Sequence, residues 1–283
     1  MIIDFHTHTF PESISSKVIH KLSMAAATKA FTDGSLSGLL SSMKEAGIDY
    51  SVNLPVMTSP EQVEKINASM LENRETLFSQ GIIAFGGLHP DYQDYKKELR
   101  RLKAGGILGI KLHPAYQNVD LTDIRMLRII EAAAAEDLII LIHAGIDIGL
   151  YEHNYSSVPQ ILRVIREIAP KYFVLAHMGN WGCWDEVESD LAGALVYLDT
   201  AFAIGPVTAE PAAGRPPVRN FNLTEEQFLR IIRKHGTDKI LFATDSPWEN
   251  QKDYLNRIRQ MSLTEEEQKQ ILGDNAAKLL RLS

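Results

Sequence analysis

Residues 4–8 read Asp-Phe-His-Thr-His, and in an extended strand the histidines at positions 6 and 8 project to the same side. Two neutral imidazoles on one face are half of a zinc-type donor set. His-x-His alone is a weak signal. It is strengthened because other apolar runs also end in an ionisable residue: His89 in GGLHP, His113 in GIKLHP, His143 in LIILIHAG, His177 in FVLAHMGN and Asp245 in ILFATDSPW. Taken singly, a histidine closing an apolar strand is more often a core residue bonded to a backbone carbonyl than a ligand. Taken together, His6, His8, His143, His177 and Asp245 supply the imidazoles and carboxylate that bind zinc and related divalent ions. The remaining histidines, His20, His153 and His235, fall on predicted helix or loop surfaces.

Such residues act together only if the fold carries the run ends to one place. Strands are predicted at Ile2–His6, Tyr50–Pro55, Gly81–Leu88, Ile107–Leu112, Leu138–His143, Phe173–His177, Leu195–Thr200 and Ile240–Thr244, separated by stretches of helical spacing. Several helix starts are signalled: Ser59-Pro60-Glu61-Gln62 combines a cap hydroxyl, a proline and a glutamine, and Thr224 and Thr264 open capping-box patterns. Most strand ends are spaced near the roughly 30 residues of a βαβ unit, so the series closes most naturally into a (β/α)₈ TIM barrel of a single domain, residues 1–283. The rival is an open doubly wound sheet, but the first strand ends in a histidine pair instead of a glycine-rich phosphate turn. Two loops exceed what closure needs: Phe10 to about Gly38 after strand 1, with an extra helix, and Ala203–Asn222 after strand 7, with four prolines. Both lie on the strand-exit side as candidate lids.

Composition narrows the function classes. The 283 residues carry 29 Lys+Arg against 36 Asp+Glu, a net charge of −7 spread without a basic cluster, which argues against a nucleic-acid surface. The single cysteine, Cys183, excludes an intrachain disulfide and has no second thiol or basic neighbour to make it catalytic. No apolar run reaches the roughly 18 residues of a membrane span, and the start lacks a signal-peptide pattern, so a cytoplasmic protein is expected.

From DFHTH at Asp4–His8, through GIKLHP at Gly109–Pro114, HAG at His143–Gly145 and AHMGN at Ala176–Asn180, to ATDSPW at Ala243–Trp248 and the tail LGDNAAKLLRL, the chain resembles the amidohydrolase superfamily. Within it, the chain is similar to the amidohydrolase 2 subgroup of metal-dependent hydrolases, lactonases and non-oxidative decarboxylases. The resemblance implies that His6, His8 and His143 ligate a divalent ion such as zinc and that Asp245 is a ligand or near-ligand. His177 would bind a second metal or polarise the substrate. One ion per chain is the subgroup's usual state. Lys111 matches the lysine that is carboxylated in binuclear relatives and usually unmodified in this subgroup; it faces the same side as His113 and could bridge a second metal, bind a substrate carboxylate or form a structural salt bridge.

A divalent ion with an open position lowers the pKa of bound water to about 7. Asp245 would take that water's proton and His177 would stabilise charge on a carbonyl oxygen, giving hydrolysis of a small carboxylated or cyclic ester, lactone or amide through a metal-bound hydroxide. The alternative is decarboxylation of an aromatic or enolic carboxylate, with Asp245 or His177 protonating the ring carbon; hydration of a double bond is a further option. Lys111, His113 and His89 are the candidate substrate-binding residues. Tyr116, Tyr151, Tyr155, Trp181, Trp184 and Trp248 could wall a pocket, and Arg215 and Arg219 could recognise an acidic group. The expected partner is a small molecule, with neither nucleic acid nor membrane, and barrels commonly form homo-oligomers. Two other classes are a barrel nuclease, disfavoured by charge, and a metal-binding protein without turnover.

Overall fold

Parallel strands and helices alternate along the chain as the apolar spacing predicts. In the computed structural model, which describes residues 1–219 and 221–282, the strands are β1 (Ile3–Thr7), β2 (Tyr50–Asn53), β3 (Ile82–Ala84), β4 (Gly86–Gly87), β5 (Gly109–Leu112), β6 (Ile139–Ile142), β7 (Phe173–Leu175), β8 (Tyr197–Asp199) and β9 (Ile240–Leu241). Asn220, within the predicted strand-7 loop, and Ser283 lie outside the described residues. The strands pair in parallel and in chain order, β1 to β3 and β4 to β9. β3 and β4 are two parts of the one predicted strand Gly81–Leu88; between them the Phe85 amide still donates to the Asn53 carbonyl at 3.1 Å. At the other seam Phe5 N donates to Phe242 O (2.9 Å), Asp245 N to His6 O (2.8 Å) and His8 N to Ser246 O (2.7 Å). These bonds return the last strand to the first, which is the order of a (β/α)₈ barrel and not of a doubly wound sheet, whose strand order reverses.

Side chains of the strands divide between two apolar layers. Ile139 and Leu141 of β6, Val174 of β7, Phe5, Val52, Phe85 and Leu241 fill the barrel interior, while Ile140, Ile142, Phe173 and Leu175 face the helices. The same alternation turns Lys111 and His143 inward. It does not suffice for β1, where Phe5 already points inward and His6 must follow it. Asp4 lies opposite Ser51 and Thr7 opposite Asn53, so β1 uses one residue more than β2 over this stretch. That bulge re-aims His6 into the barrel, and simple alternation between positions 6 and 8 is only part of the reason both histidines reach the site.

Helices cover the outside. They are α1 (Ser15–Ala26), α2 (Leu36–Ala46), α3 (Gln62–Ser79), α4 (Tyr95–Ala104), α5 (Pro114–Gln117), α6 (Ile124–Ala135), α7 (Val158–Glu167), α8 (Trp184–Glu186), α9 (Glu225–His235), α10 (Gln251–Gln260), α11 (Glu265–Lys269) and α12 (Asn275–Leu280). Among the described residues no helix is long and apolar enough to cross a membrane. In α9 the Thr224 hydroxyl caps Gln227 N at 3.2 Å, and Phe228, Ile231, Ile232 and His235 form the buried stripe at i, i+3, i+4 and i+7. His235 is therefore not a surface residue, as sequence had placed it: its Nε2–H donates to Val196 O at 3.0 Å and its Nδ1 accepts from Gly193 N at 3.2 Å. Its place in the stripe was legible; its polar ring hid it.

The two long loops meet. α1 is the extra helix expected after strand 1, and the segment following it runs antiparallel to the strand-7 loop: Lys29 N donates to Thr208 O (2.9 Å) and Glu210 N to Ala27 O (3.0 Å). Arg215 adds a bond from Nη2 to Ala25 O at 3.1 Å. The loops thus form one cover on the strand-exit side.

Candidate metal centre

His6 leaves the bulge of β1 and His8 follows the strand end, while Asp245 stands in a turn after β9 with φ of 64°. Asp245 Oδ1 lies 3.4 Å from His6 Nε2 and 3.2 Å from His8 Nε2, and the two Nε2 atoms are 3.1 Å apart. The opposite nitrogen of each ring is already engaged. His8 Nδ1–H donates to the Leu54 carbonyl at 2.7 Å and His6 Nδ1 is 2.9 Å from Asp199 Oδ2, so with Asp199 ionised both N–H groups point outward. Each Nε2 then carries a lone pair, and the 3.1 Å contact between them holds no proton to share. Two imidazole lone pairs and a carboxylate oxygen facing one another repel unless a cation stands among them, and that is a divalent-metal donor set. The residues present fit the ion that the sequence pattern suggests.

His143 and His177 extend this cluster. His177 Nδ1–H donates to Ala201 O at 2.8 Å, which leaves Nε2 as an acceptor, 3.0 Å from His143 Nδ1. His143 Nε2 is buried and has no hydrogen-bond partner. Burial holds His6 and His143 well below the usual imidazole range, with nearby cationic or potentially cationic side chains pushing the same way; His177 is lowered to about 4 by burial although Asp245 opposes the shift. All three rings are therefore neutral at pH 7, the form that binds metal.

Lys111, on β5, is 1% exposed and its Nζ is 3.1 Å from His6 Nε2. Burial lowers its pKa, while Asp245, Asp199 and Asp147 favour the charged form. Among the described residues no carboxylate lies within salt-bridge distance of Nζ, so the structural ion pair considered for it does not form. His113 stands at the same rim: its ring stacks on Tyr116 at 4.2 Å on one side and on His143 at 4.2 Å on the other. Its Nε2 is 3.7 Å from Asp147 Oδ2, and His113, His143 and Asp147 form a second group of close ligand atoms. The near-parallel stack, 15° between the planes, keeps the in-plane lone pairs of His113 and His143 from converging on one ion. His89 is elsewhere. Its Nδ1 accepts from Asp91 N at 3.2 Å, and among the described residues no hydrogen bond or ion pair joins it to the cluster.

Of the aromatic residues proposed as pocket walls, Tyr116 reaches the histidines. Trp184 instead donates from Nε1 to His177 O at 3.0 Å, and Trp181 is buried against Phe202 and Phe221. Tyr155 donates to Asn118 at 2.7 Å on the exposed side, and Tyr151 is exposed. Arg219 lies over Phe221, with its guanidinium carbon 5.5 Å from the ring centre, and Arg215 serves the loop contact, so neither is seen facing Lys111.

Two buried carboxylates escaped sequence reasoning. Asp199, on β8, sits one residue before the presumed strand end at Thr200; a charge inside LVYLDT was the available signal. Asp147 follows His143 by four positions in the loop after β6, where nothing in the pattern distinguishes it from a solvated loop acid. Burial pushes Asp199 up against the opposing pull of Lys111, and pushes Asp147 up to about 6.

With fold and site in place, comparison decides the family: residues 3–282 match the family model described as Amidohydrolase. The chain belongs to the amidohydrolase family. No curated protein matches it. Among solved structures it is similar to 5-carboxyvanillate decarboxylase from Sphingomonas paucimobilis, with a TM-score of 0.71 and 14% identity over 100% of this chain and 99% of that one. It is also similar to 2,6-dihydroxybenzoate decarboxylase from Rhizobium (TM-score 0.68, 14% identity, 99% and 98% covered). A third is dihydroxybenzoic acid decarboxylase from Polaromonas sp. JS666 with bound manganese and 2-nitroresorcinol (TM-score 0.69, 15% identity, 99% and 97% covered). At such identities these likenesses speak for the barrel fold. An amidohydrolase barrel enzyme with a histidine–aspartate metal site is what sequence, fold and family jointly support.

Proposed function

We propose that this amidohydrolase is a metal-dependent carboxy-lyase acting on a small aromatic or enolic carboxylate. The observation that carries the reading is Lys111: a buried ammonium beside His6, with no protein carboxylate paired to it among the described residues, matches an anionic group brought by the substrate. The decarboxylase names of the three similar structures point the same way. His6, His8 and Asp245 would hold the ion, with His143 and His177 beside them, zinc being the expected metal and manganese the one in the Polaromonas structure. When bound, it supplies Lewis-acid attraction for the substrate's oxygen atoms.

The protein's own groups then account for the rest. Lys111 pairs with the carboxylate and Tyr116, stacked on His113, offers a flat face at the rim. Asp245, after taking a proton from solvent, delivers it to the carbon that bears the carboxylate, since the one proton of neutral His177 is held by Ala201 O; the new C–H bond forms, the C–C bond breaks and carbon dioxide leaves. The acid recovers its proton from solvent. Hydrolysis of a carboxylated ester, lactone or amide remains the second reading, favoured by Asp245 Oδ1 standing within 3.4 Å of both metal-facing imidazole nitrogens, where a general base for water would be needed.

The test is turnover of the metal-loaded protein on a panel of hydroxylated aromatic carboxylates, enolic carboxylates and lactones, with carbon dioxide measured directly. Release of carbon dioxide with the matching decarboxylated product supports the lyase. Ring opening of lactones without carbon dioxide overturns it in favour of hydrolysis.

A further inference from the structure

We propose that Asp199 is a positioning residue that sets the tautomer of His6 and, through the same carboxylate, ties that ligand to the His177 turn. Its two oxygens do different work. Oδ1 accepts from His177 N at 2.9 Å and Ala201 N at 3.1 Å, and Oδ2 faces His6 Nδ1 at 2.9 Å. Asp199 is fully buried, so water cannot replace either set of bonds. The backbone amides can only donate, which fixes Oδ1 as an acceptor; in the ionised carboxylate Oδ2 then takes the proton of His6 Nδ1–H. His6 Nε2 is thereby kept free for a metal ion.

The His177 end explains why the carboxylate is held so firmly. His177 and Met178 adopt φ of 60° and 54°, two successive left-handed residues that are not glycine. The bond from His177 N to Asp199, that from His177 Nδ1 to Ala201 O and that from Trp184 Nε1 to His177 O restrain the turn on three sides. One side chain on β8 therefore fixes both the ring state of a β1 ligand and the backbone that presents His177.

A near-isosteric change makes this testable. In Asp199→Asn the two backbone donors hold the amide oxygen, so the NH₂ group faces His6 Nδ1 and demands a lone pair there. His6 must then carry its proton on Nε2, where the metal would bind. The proposal depends on His6 as a ligand and not on which reaction the site performs, and it is read without turnover. Metal-free wild type and Asp199→Asn are titrated with zinc against a competing chelator, and histidine tautomers are assigned by long-range proton–nitrogen NMR. The expected result is Nδ1–H at His6 in the wild type, Nε2–H in the variant, and a ten- to hundredfold loss of zinc affinity at an unchanged melting profile of the metal-free protein. Equal zinc affinities, including no binding by either protein, overturn it. So does an Nε2–H tautomer in the wild type, which decides the matter even if the variant fails to fold.

Discussion

Three acceptor atoms, His6 Nε2, His8 Nε2 and Asp245 Oδ1, face one another within 3.4 Å because the opposite nitrogen of each ring is committed elsewhere. This arrangement needs a cation, and it separates a working site from histidines that merely cap strands. Lys111 supplies part of that charge, and in the proposed lyase it would also recognise the acid. Replacing it with methionine keeps its bulk and removes one charge-assisted contact, worth about 1.5–3 kcal/mol, so KM for a carboxylate substrate should rise on the order of tenfold to a hundredfold. Steady-state kinetics on the carboxylate substrate check it. Asp245→Asn should lower kcat on the order of 10²–10⁴-fold, the usual weight of a positioned acid or base. A fully active Asp245→Asn would remove Asp245 from the chemistry.

Elements bring these residues together, and here the sequence was informative to different degrees. Apolar runs ending in His143, His177 and Asp245 declared their strands, because burial on both faces leaves a long hydrophobic word closed by a polar residue. The β1 bulge was not legible, since it depends on how β2 pairs with β1, and a register shift leaves no mark in one strand's own pattern. Nor was the place of His89, which follows an apolar run like the others yet turns to Asp91. Glu249 offers an element-scale test. In the loop before α10 it pairs with Arg257 at 3.1 Å, and Arg257 also donates to Ile204 O of the strand-7 loop at 3.1 Å. Burial nevertheless pushes Glu249 up to about 7. Its folded pKa exceeds the unfolded value near 4.5, so the folded state holds the proton more tightly and stability falls as pH rises through that window toward 7. Glu249→Gln does not titrate, and melting curves from pH 4.5 to 7 should slope less than those of the wild type; an identical slope would show that Glu249 is ionised without cost. On α9, Phe228→Ala should destabilise by about 3–5 kcal/mol, measured by denaturant unfolding, as it empties a fully buried ring from the helix-facing core.

At the scale of the whole molecule, the barrel collects strand ends from across the sequence onto one rim, and the loops after β1 and β8, joined around Lys29 and Thr208, lie on that side. The order of the strands was readable from the repeat of apolar and amphipathic runs; the clasp between the loops was not, because it rests on backbone bonds such as Lys29 N to Thr208 O that any residues could make. A metal bound only by the folded barrel adds stability by mass action, roughly 4 kcal/mol when free ion is a thousandfold above its dissociation constant. The most direct test of the central claim is calorimetric titration of the metal-free protein with zinc, beside a His6→Ala/His8→Ala variant. The account predicts one tightly bound ion per wild-type chain and none in the variant. Equal binding by both proteins, or no binding by the wild type, would contradict it.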